Sequence, residues 1–327
     1  MDNHPISCYH LGQYFQVDGK LLQEQYKEHV SEYSTWDQKK HAGDWMLFSK
    51  NISPRLSIDE TALSNGELYT IVTNKEAKGR KGTIVAMIKG TVAEDIITVL
   101  KKIPERSRKQ VREVTMDMAA NMQLAIKRCF TNAQRVIDRF HVQKLAYDAV
   151  QECRIKYRWE AIDREAKEIA TAKRDKIAFR PEILSNGDTL KQLLARSRYL
   201  LFKHHMKWTE IQKHRAELLF ERYPELKKAY SLSLGLGNIF RICTSKEQAF
   251  KRLALWYNEV EDSRIEPFRT VSRSVQAHYL SILNFFLNRS TNASAESFNA
   301  KVKAFRATSR GVRDIKFFLF RLSKIYA

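Results

Sequence analysis

Two aspartates and one glutamate occupy places from which a carboxylate can act. Asp59 falls in "RLSIDETAL", where Leu56 and Ile58 alternate with Ser57 and Asp59, and Asp117 closes "VREVTMD". Each follows strand-patterned apolar residues, and the ends of strands are where open α/β sheets gather their sites. Glu296 heads "STNASAESFNAKVKAFRATSRGVRD", a segment otherwise basic and patterned as a helix. Neighbouring carboxylates repel unless a cation lies between them. Mg²⁺ suits such a place, because it takes hard oxygen ligands and commonly joins one or two carboxylates to phosphate oxygens. Two such ions can activate an attacking oxygen and stabilise a leaving one in phosphoryl transfer. The same residues also have plain structural uses. Asp59 can form a strand-end turn, Asp117 before "MAANMQ" can cap a helix, and Glu296 can answer a helix macrodipole.

The surrounding pattern indicates what would position them. "RLSIDETAL", "ELYTIVTNK" and "GTIVAMIKGT" are β-rich runs, the last two joined by the turn-prone "EAKGRKG", and they predict an antiparallel meander. "VAEDIITVLKKI" has apolar residues at Val92, Ile96, Val99, Leu100 and Ile103 before Pro104, as an amphipathic helix does. "VREVTMD" then reads as a strand, "AANMQLAIKRCF" as a helix and "AQRVIDRFHV" as another strand. The order β-β-β-α-β-α-β predicts a mixed α/β sheet covered by helices, with Asp59 ending the first strand and Asp117 the fourth. Those two strands can lie side by side, which would make the aspartates neighbours.

Beyond residue 142 the pattern is helical and basic, with breaks at 180–189, 233–240 and 288–294. Trp159, Trp208 and Trp256 lie in this stretch, at spacings that suit a core and could also serve base stacking. A helix over 294–310 would put Glu296, Asn299, Lys303, Arg306 and Arg310 on one broad face and Phe298, Val302 and Phe305 opposite, with Gly311 as its stop. The expected domains are an N-terminal helix and linker (1–54), the first part of an α/β core (55–142), a helical region (143–287) and a closing helix with a basic tail (288–327).

Composition points to the partner. With 57 Lys+Arg against 37 Asp+Glu the formal charge is +20, which favours a polyanion such as nucleic acid through counterion release. A basic membrane-surface protein is the rival, yet no long apolar run, signal-like start or lipidation motif supports it, so the chain is expected in the cytoplasm. Cys8, Cys129, Cys153 and Cys243 form no C-x-x-C pair and read as reduced, partly buried thiols; Cys8 with His10 would be half of a metal site lacking its other half.

"LSIDETAL", "VTMDMAANM", "VIDRFHVQKL", "RSRYLLFKHHMKWTEIQ", "LKKAYSL" and "LNRSTNASAESFNAKVKAFRATSRGVRDIKFFLFRL", taken in order, resemble the DDE transposases of bacterial insertion sequences, specifically the ISL3 group. The resemblance runs over residues 55–327. It implies a ribonuclease-H-like mixed sheet with a large all-α insertion before the last catalytic helix, and a metal-binding triad of Asp59, Asp117 and Glu296. It further implies two Mg²⁺ ions, replaceable by Mn²⁺, and a site-supporting role for Asp138, His141 and Asn299. Lys301, Lys303, Arg306, Arg310 and Arg313 would track DNA phosphates. The implied partners are double-stranded DNA at element ends and target and a second copy in a synaptic complex; since no zinc module or helix-turn-helix is evident before residue 55, either a separately encoded DNA-binding protein or a truncated gene is expected. The implied location is the bacterial nucleoid. Ala293 and Ser297 stand where many relatives have glycine, so the backbone there approaches its neighbours differently. A ribonuclease-H-like nuclease without strand transfer and a non-enzymatic DNA-binding protein are the alternatives.

Overall fold

The computed structural model describes every residue except 65, 66 and 309–313. The expected DNA contacts Arg310 and Arg313, and the expected stop Gly311, lie outside the described residues. The chain divides into two compact units, Met1–Asp138 with Asn288–Ala327 and Arg139–Leu287.

The first unit opens with helices α1 (Cys8–Phe15) and α2 (Gly19–Gln25) and holds a sheet of β1 (Trp45–Leu47), β2 (Arg55–Ser64), β3 (Glu67–Asn74), β4 (Ile84–Lys89), β5 (Glu113–Met116) and β6 (Gln134–Ile137). Between β4 and β5 lie α3 (Ala93–Leu100) and α4 (Glu105–Arg108), and between β5 and β6 lies α5 (Ala120–Cys129). The sheet order is β1-β4-β3-β2-β5-β6. β2, β3 and β4 form the antiparallel meander, while β5 and β6 extend it in parallel with β2. This mixed α/β arrangement is consistent with a ribonuclease-H-like fold. β1 was not foreseen: its three residues are too few to show an alternation, and pairing with β4 alone makes them a strand.

The second unit is helical: α6 (Arg139–Arg174), α7 (Leu190–Arg196), α8 (Glu210–Arg222), α9 (Pro224–Ile242), α10 (Lys246–Ser263), α11 (Glu266–Ala277), α12 (Tyr279–Leu283) and the start of α13 (Phe285–Asn288). Thr189 and Thr209 close capping boxes with Gln192 and Gln212, which fixes where α7 and α8 begin. The three tryptophans part company. Trp256 is 2% exposed and donates its indole N–H to the Leu232 carbonyl at 2.9 Å, Trp208 is half-buried, and Trp159 is exposed.

Asp188 is completely buried in this unit and accepts from Arg215 Nε at 3.1 Å, from Asn186 Nδ2 at 2.9 Å and from Arg196. Asp188→Ala removes the charge that both arginines answer and is expected to lower stability by about 3–5 kcal/mol. Glu182→Ala, which breaks the exposed pair with Arg222, should cost under about 1 kcal/mol. Urea denaturation of the two variants checks the order, and equal losses would contradict it.

The chain returns to the first unit through α14 (Ala293–Thr308) and α15 (Ile315–Tyr326). Alternation along the strands sends their side chains to two cores. Leu56, Ile58, Val72, Val114 and Met116 meet Ile96, Ile97 and Leu100 of α3 and Met122 and Ile126 of α5 on one face. Leu63, Tyr69, Ile71, Ile84 and Met87 meet Phe298, Val302 and Phe305 of α14 and Phe318 and Leu322 of α15 on the other. All four cysteines are buried and none is in a disulfide among the described residues. The Cys8 thiol faces Met1 Sδ at 3.3 Å, and the His10 ring is bonded to Ser7 Oγ at 2.7 Å.

Candidate functional site

Strand register assembles the site. β2 and β5 pair in parallel from Arg55↔Glu113 to Ser57↔Thr115, so Asp59 and Asp117 occupy matching positions two residues past the last pair. β5 and β6 pair as far as Met116↔Ile137, and the next backbone bond, Asp138 N–H to Met116 O at 2.9 Å, continues that ladder. Asp59, Asp117 and Asp138 therefore fall at one level across three adjacent strands. Because Ile58 fills the α3–α5 core, the alternation turns Asp59 to the opposite face, where Asn299 of α14 meets it.

One expectation needs correction. Asp59 does not end its strand: β2 runs on to Ser64, since its other edge stays paired with β3 through Ser64↔Glu67. It lies mid-strand, past the end of its parallel partner, which opens the sheet beside it. Asp117 does follow the last residue of β5, and its Oδ1 accepts from Ala119 N–H at 2.7 Å.

Helix α14 brings the rest. Glu296 is exposed in its first turn, where the helix dipole favours a carboxylate. Its carboxylate and that of Asp138 each have an oxygen within 4.8 Å of the other. Among the described residues, neither Asp59 nor Asp117 belongs to a group of three ligand atoms that close together. Asn299, expected on the exposed face, is instead 6% exposed, and its Nδ2 donates to Asp59 Oδ2 at 2.8 Å. Its Oδ1 has no partner among the described residues and is a hard oxygen beside the carboxylate row. His141 follows Asp138 by one turn of chain, at the start of α6 in the helical unit. Lys301 and Lys303 are exposed and Arg306 is half-buried.

Negative charge accumulates here. Burial, then the negative charges of Asp117 and Asp59, pushes the Glu60 carboxyl above its usual range, against a hydrogen bond with Asn121 that lowers it. Carboxylates gathered in this field, with Asp138 and Glu296 at ligand distance from one another, are a donor set that a divalent cation suits.

Beneath the row lies a tie that the sequence reading missed. Lys75 Nζ, at the end of β3, donates to Thr115 Oγ1 at 2.8 Å, Ser290 Oγ at 3.2 Å and the Thr291 carbonyl at 3.1 Å, and stands 3.7 Å from Glu113 Oε1. Glu113 is buried and also accepts from Asn288 Nδ2 at 3.0 Å and from Ser290. Burial lowers the Lys75 pKa, and the Glu113 charge opposes that shift. The pair holds residues 288–291 to the sheet just before α14 begins, with the Asn292 carbonyl accepting from Glu296 N–H at 3.0 Å. A lysine in a polar turn carries no local signal of such a role.

Among the described residues no helix is long and apolar enough to cross a membrane. A family model described as a transposase, of the DDE type in the ISL3 group, matches residues 56–322. Among curated proteins, the chain is similar to the transposase for insertion sequence element IS1001 of Bordetella parapertussis, with 23% identity over 269 residues. The aligned stretch is 82% of this chain and 59% of that protein, so the chain spans less than two thirds of its relative's length. No solved structure matches the chain.

Proposed function

Because the chain belongs to the ISL3 group of DDE transposases, we propose that it is the catalytic part of a transposase that cuts insertion-sequence ends and joins them to target DNA. The observation that carries this reading is the register of Asp59, Asp117 and Asp138 across three strands, with Glu296 brought against Asp138 by α14. In this reading Asp59, Asp117 and Glu296 hold two divalent cations, and Asp138, His141 and Asn299 support them. The bound metal supplies Lewis-acid stabilisation of charge on attacking and leaving oxygens.

The chain's own residues do the positioning. Asn299 fixes the Asp59 carboxylate through its amide, and the Ala119 N–H fixes that of Asp117. The Lys75–Glu113 tie sets where α14, and with it Glu296, meets the sheet. Water attacks a phosphodiester phosphorus at the element end, the P–O3′ bond breaks as the new P–O bond forms, and the products are a 5′-phosphate and a free 3′-hydroxyl. That hydroxyl then attacks a target phosphodiester in line, forming one P–O bond as another breaks. Exposed Lys303, with Arg306, Arg310 and Arg313, contacts phosphates and orients the duplex without reading its sequence. The helical unit Arg139–Leu287 is an insertion in the ribonuclease-H-like core. A synaptic pair of chains, a separately encoded reader of the element ends and a place among the cytoplasmic nucleoid DNA complete the proposal.

The test is an assay of labelled duplex carrying the DNA from either side of the gene, searched for short inverted repeats, with Mg²⁺ or Mn²⁺. Metal-dependent cutting with joined products is expected. Cutting without joining would make the protein a nuclease. A folded chain that binds DNA and cuts nothing, even with the product of any small reading frame found beside the gene, would leave only a binding protein.

A further inference from the structure

The connection from β3 to β4 carries three exposed cations, Lys78, Arg80 and Lys81, within six residues of Lys75. No ion pair or side-chain hydrogen bond engages them among the described residues, although acidic Glu76 is close in sequence. The turn is nonetheless held in shape. Lys78, Gly79 and Gly82 have positive φ of 52°, 72° and 85°. Thr83 donates its N–H to Arg80 O at 3.1 Å and to Tyr326 O at 2.8 Å. Its hydroxyl donates to Arg80 O at 2.6 Å.

The decisive contact comes from α14. Lys301 Nζ donates to the Gly79 carbonyl at 2.9 Å, and a Cβ on Gly79 would meet that nitrogen at 2.8 Å. The Lys301 ammonium, which the sequence assigns to DNA phosphate, is thus engaged in holding the turn against the helix. Lys301 lies five residues past Glu296 on the same helix, about 7–8 Å along its axis. That is less than the roughly 12 Å width of a major groove. Ordered, exposed cations so close to the carboxylates raise the local concentration of phosphate, and a fixed turn loses little entropy on binding.

We propose that the Lys78–Arg80–Lys81 turn, clamped to α14 by Lys301, is a phosphate-binding element that grips the DNA backbone beside the bond to be cut. The inference rests on the DNA-processing reading and adds to it a surface outside the C-terminal basic segment. Its side chains offer charge and no base readout, so they act on every sequence alike.

The experiment measures duplex binding by the full chain, by fluorescence anisotropy without divalent metal, between about 50 and 200 mM salt. Two unrelated sequences are compared for the wild type, for Lys78→Ala with Arg80→Ala and Lys81→Ala, and for Lys301→Met. The triple variant should reduce the slope of log K against log salt by about 2–3, near 0.9 for each phosphate no longer neutralised, equally on both sequences. Lys301→Met keeps the turn's charges and frees the turn, so it should weaken binding by less than the triple variant does. All three replaced side chains of the triple variant are exposed, so its melting temperature should match the wild type, and Lys301→Arg should restore binding. An unchanged slope in the triple variant overturns the proposal while wild-type binding upholds the DNA reading. Weakening confined to one sequence, or loss of anionic-vesicle binding with DNA binding intact, also overturns it. A wild-type chain that binds no DNA overturns both.

Discussion

Glu296→Gln lowers metal-dependent strand cleavage by on the order of 10³-fold while leaving duplex affinity within about twofold. The change keeps the shape and removes one negative charge from the place where cations would gather, which at 10³-fold corresponds to about 4 kcal/mol of barrier. Stability should fall by no more than about 1 kcal/mol, since Glu296 is exposed and its structural worth is its favourable place at the head of α14. Asp59→Asn is expected to act equally strongly. Asn299→Ala, which takes one donor from the Asp59 carboxylate without removing it, should cost about 10–100-fold. Gel analysis of cleavage under single turnover, with a metal titration for each variant, separates these outcomes. If Glu296→Gln keeps a tenth or more of wild-type cleavage, the glutamate is a helix-end charge. Asp138→Asn decides a further point: a loss matching that of Glu296→Gln would give Asp138 a share of the metal, in keeping with the closeness of the two carboxylates.

Lys75→Met is expected to destabilise the protein by about 3–5 kcal/mol, because it leaves Glu113 buried and without its cation. The Lys75 ammonium is also the donor to Thr115, Ser290 and the Thr291 carbonyl, so the loop that starts α14 loses its ties to the end of β3 and is left with the bonds of Asn288 and Ser290 to Glu113. Adding Glu113→Gln removes the stranded charge and keeps an oxygen for Asn288 and Ser290; the double variant should recover more than half of the loss. Cleavage should remain low in the double variant under conditions where it is fully folded, since Glu296 is then held less firmly. Urea denaturation gives the stability, and cleavage assays at a temperature well below the transition give the activity. A single-variant loss under about 1 kcal/mol would show that water already satisfies the pair.

Local pattern carried a definite part of this protein. The alternation of Leu56 and Ile58, the spacing from Ile96 to Leu100 and the three-antiparallel-then-parallel order made the meander, its covering helices and the neighbourhood of Asp59 and Asp117 legible. These features are written in residues a few positions apart, where strand and helix periods act. The β1 edge strand, the run of β2 beyond Asp59, the burial of Asn299, and the ties of Lys75 to Glu113 and of Lys301 to the Gly79 turn were decided otherwise. So was the meeting of Asp138 with Glu296. Each depends on which chain segments the two cores bring together, and a polar side chain that finds its partner across the sheet leaves no periodic trace beside it in sequence. The residue types and their rhythm therefore determined that Asp59 and Asp117 fall on neighbouring strands, and only the tertiary packing of α14 on the sheet brought Glu296 within reach of Asp138.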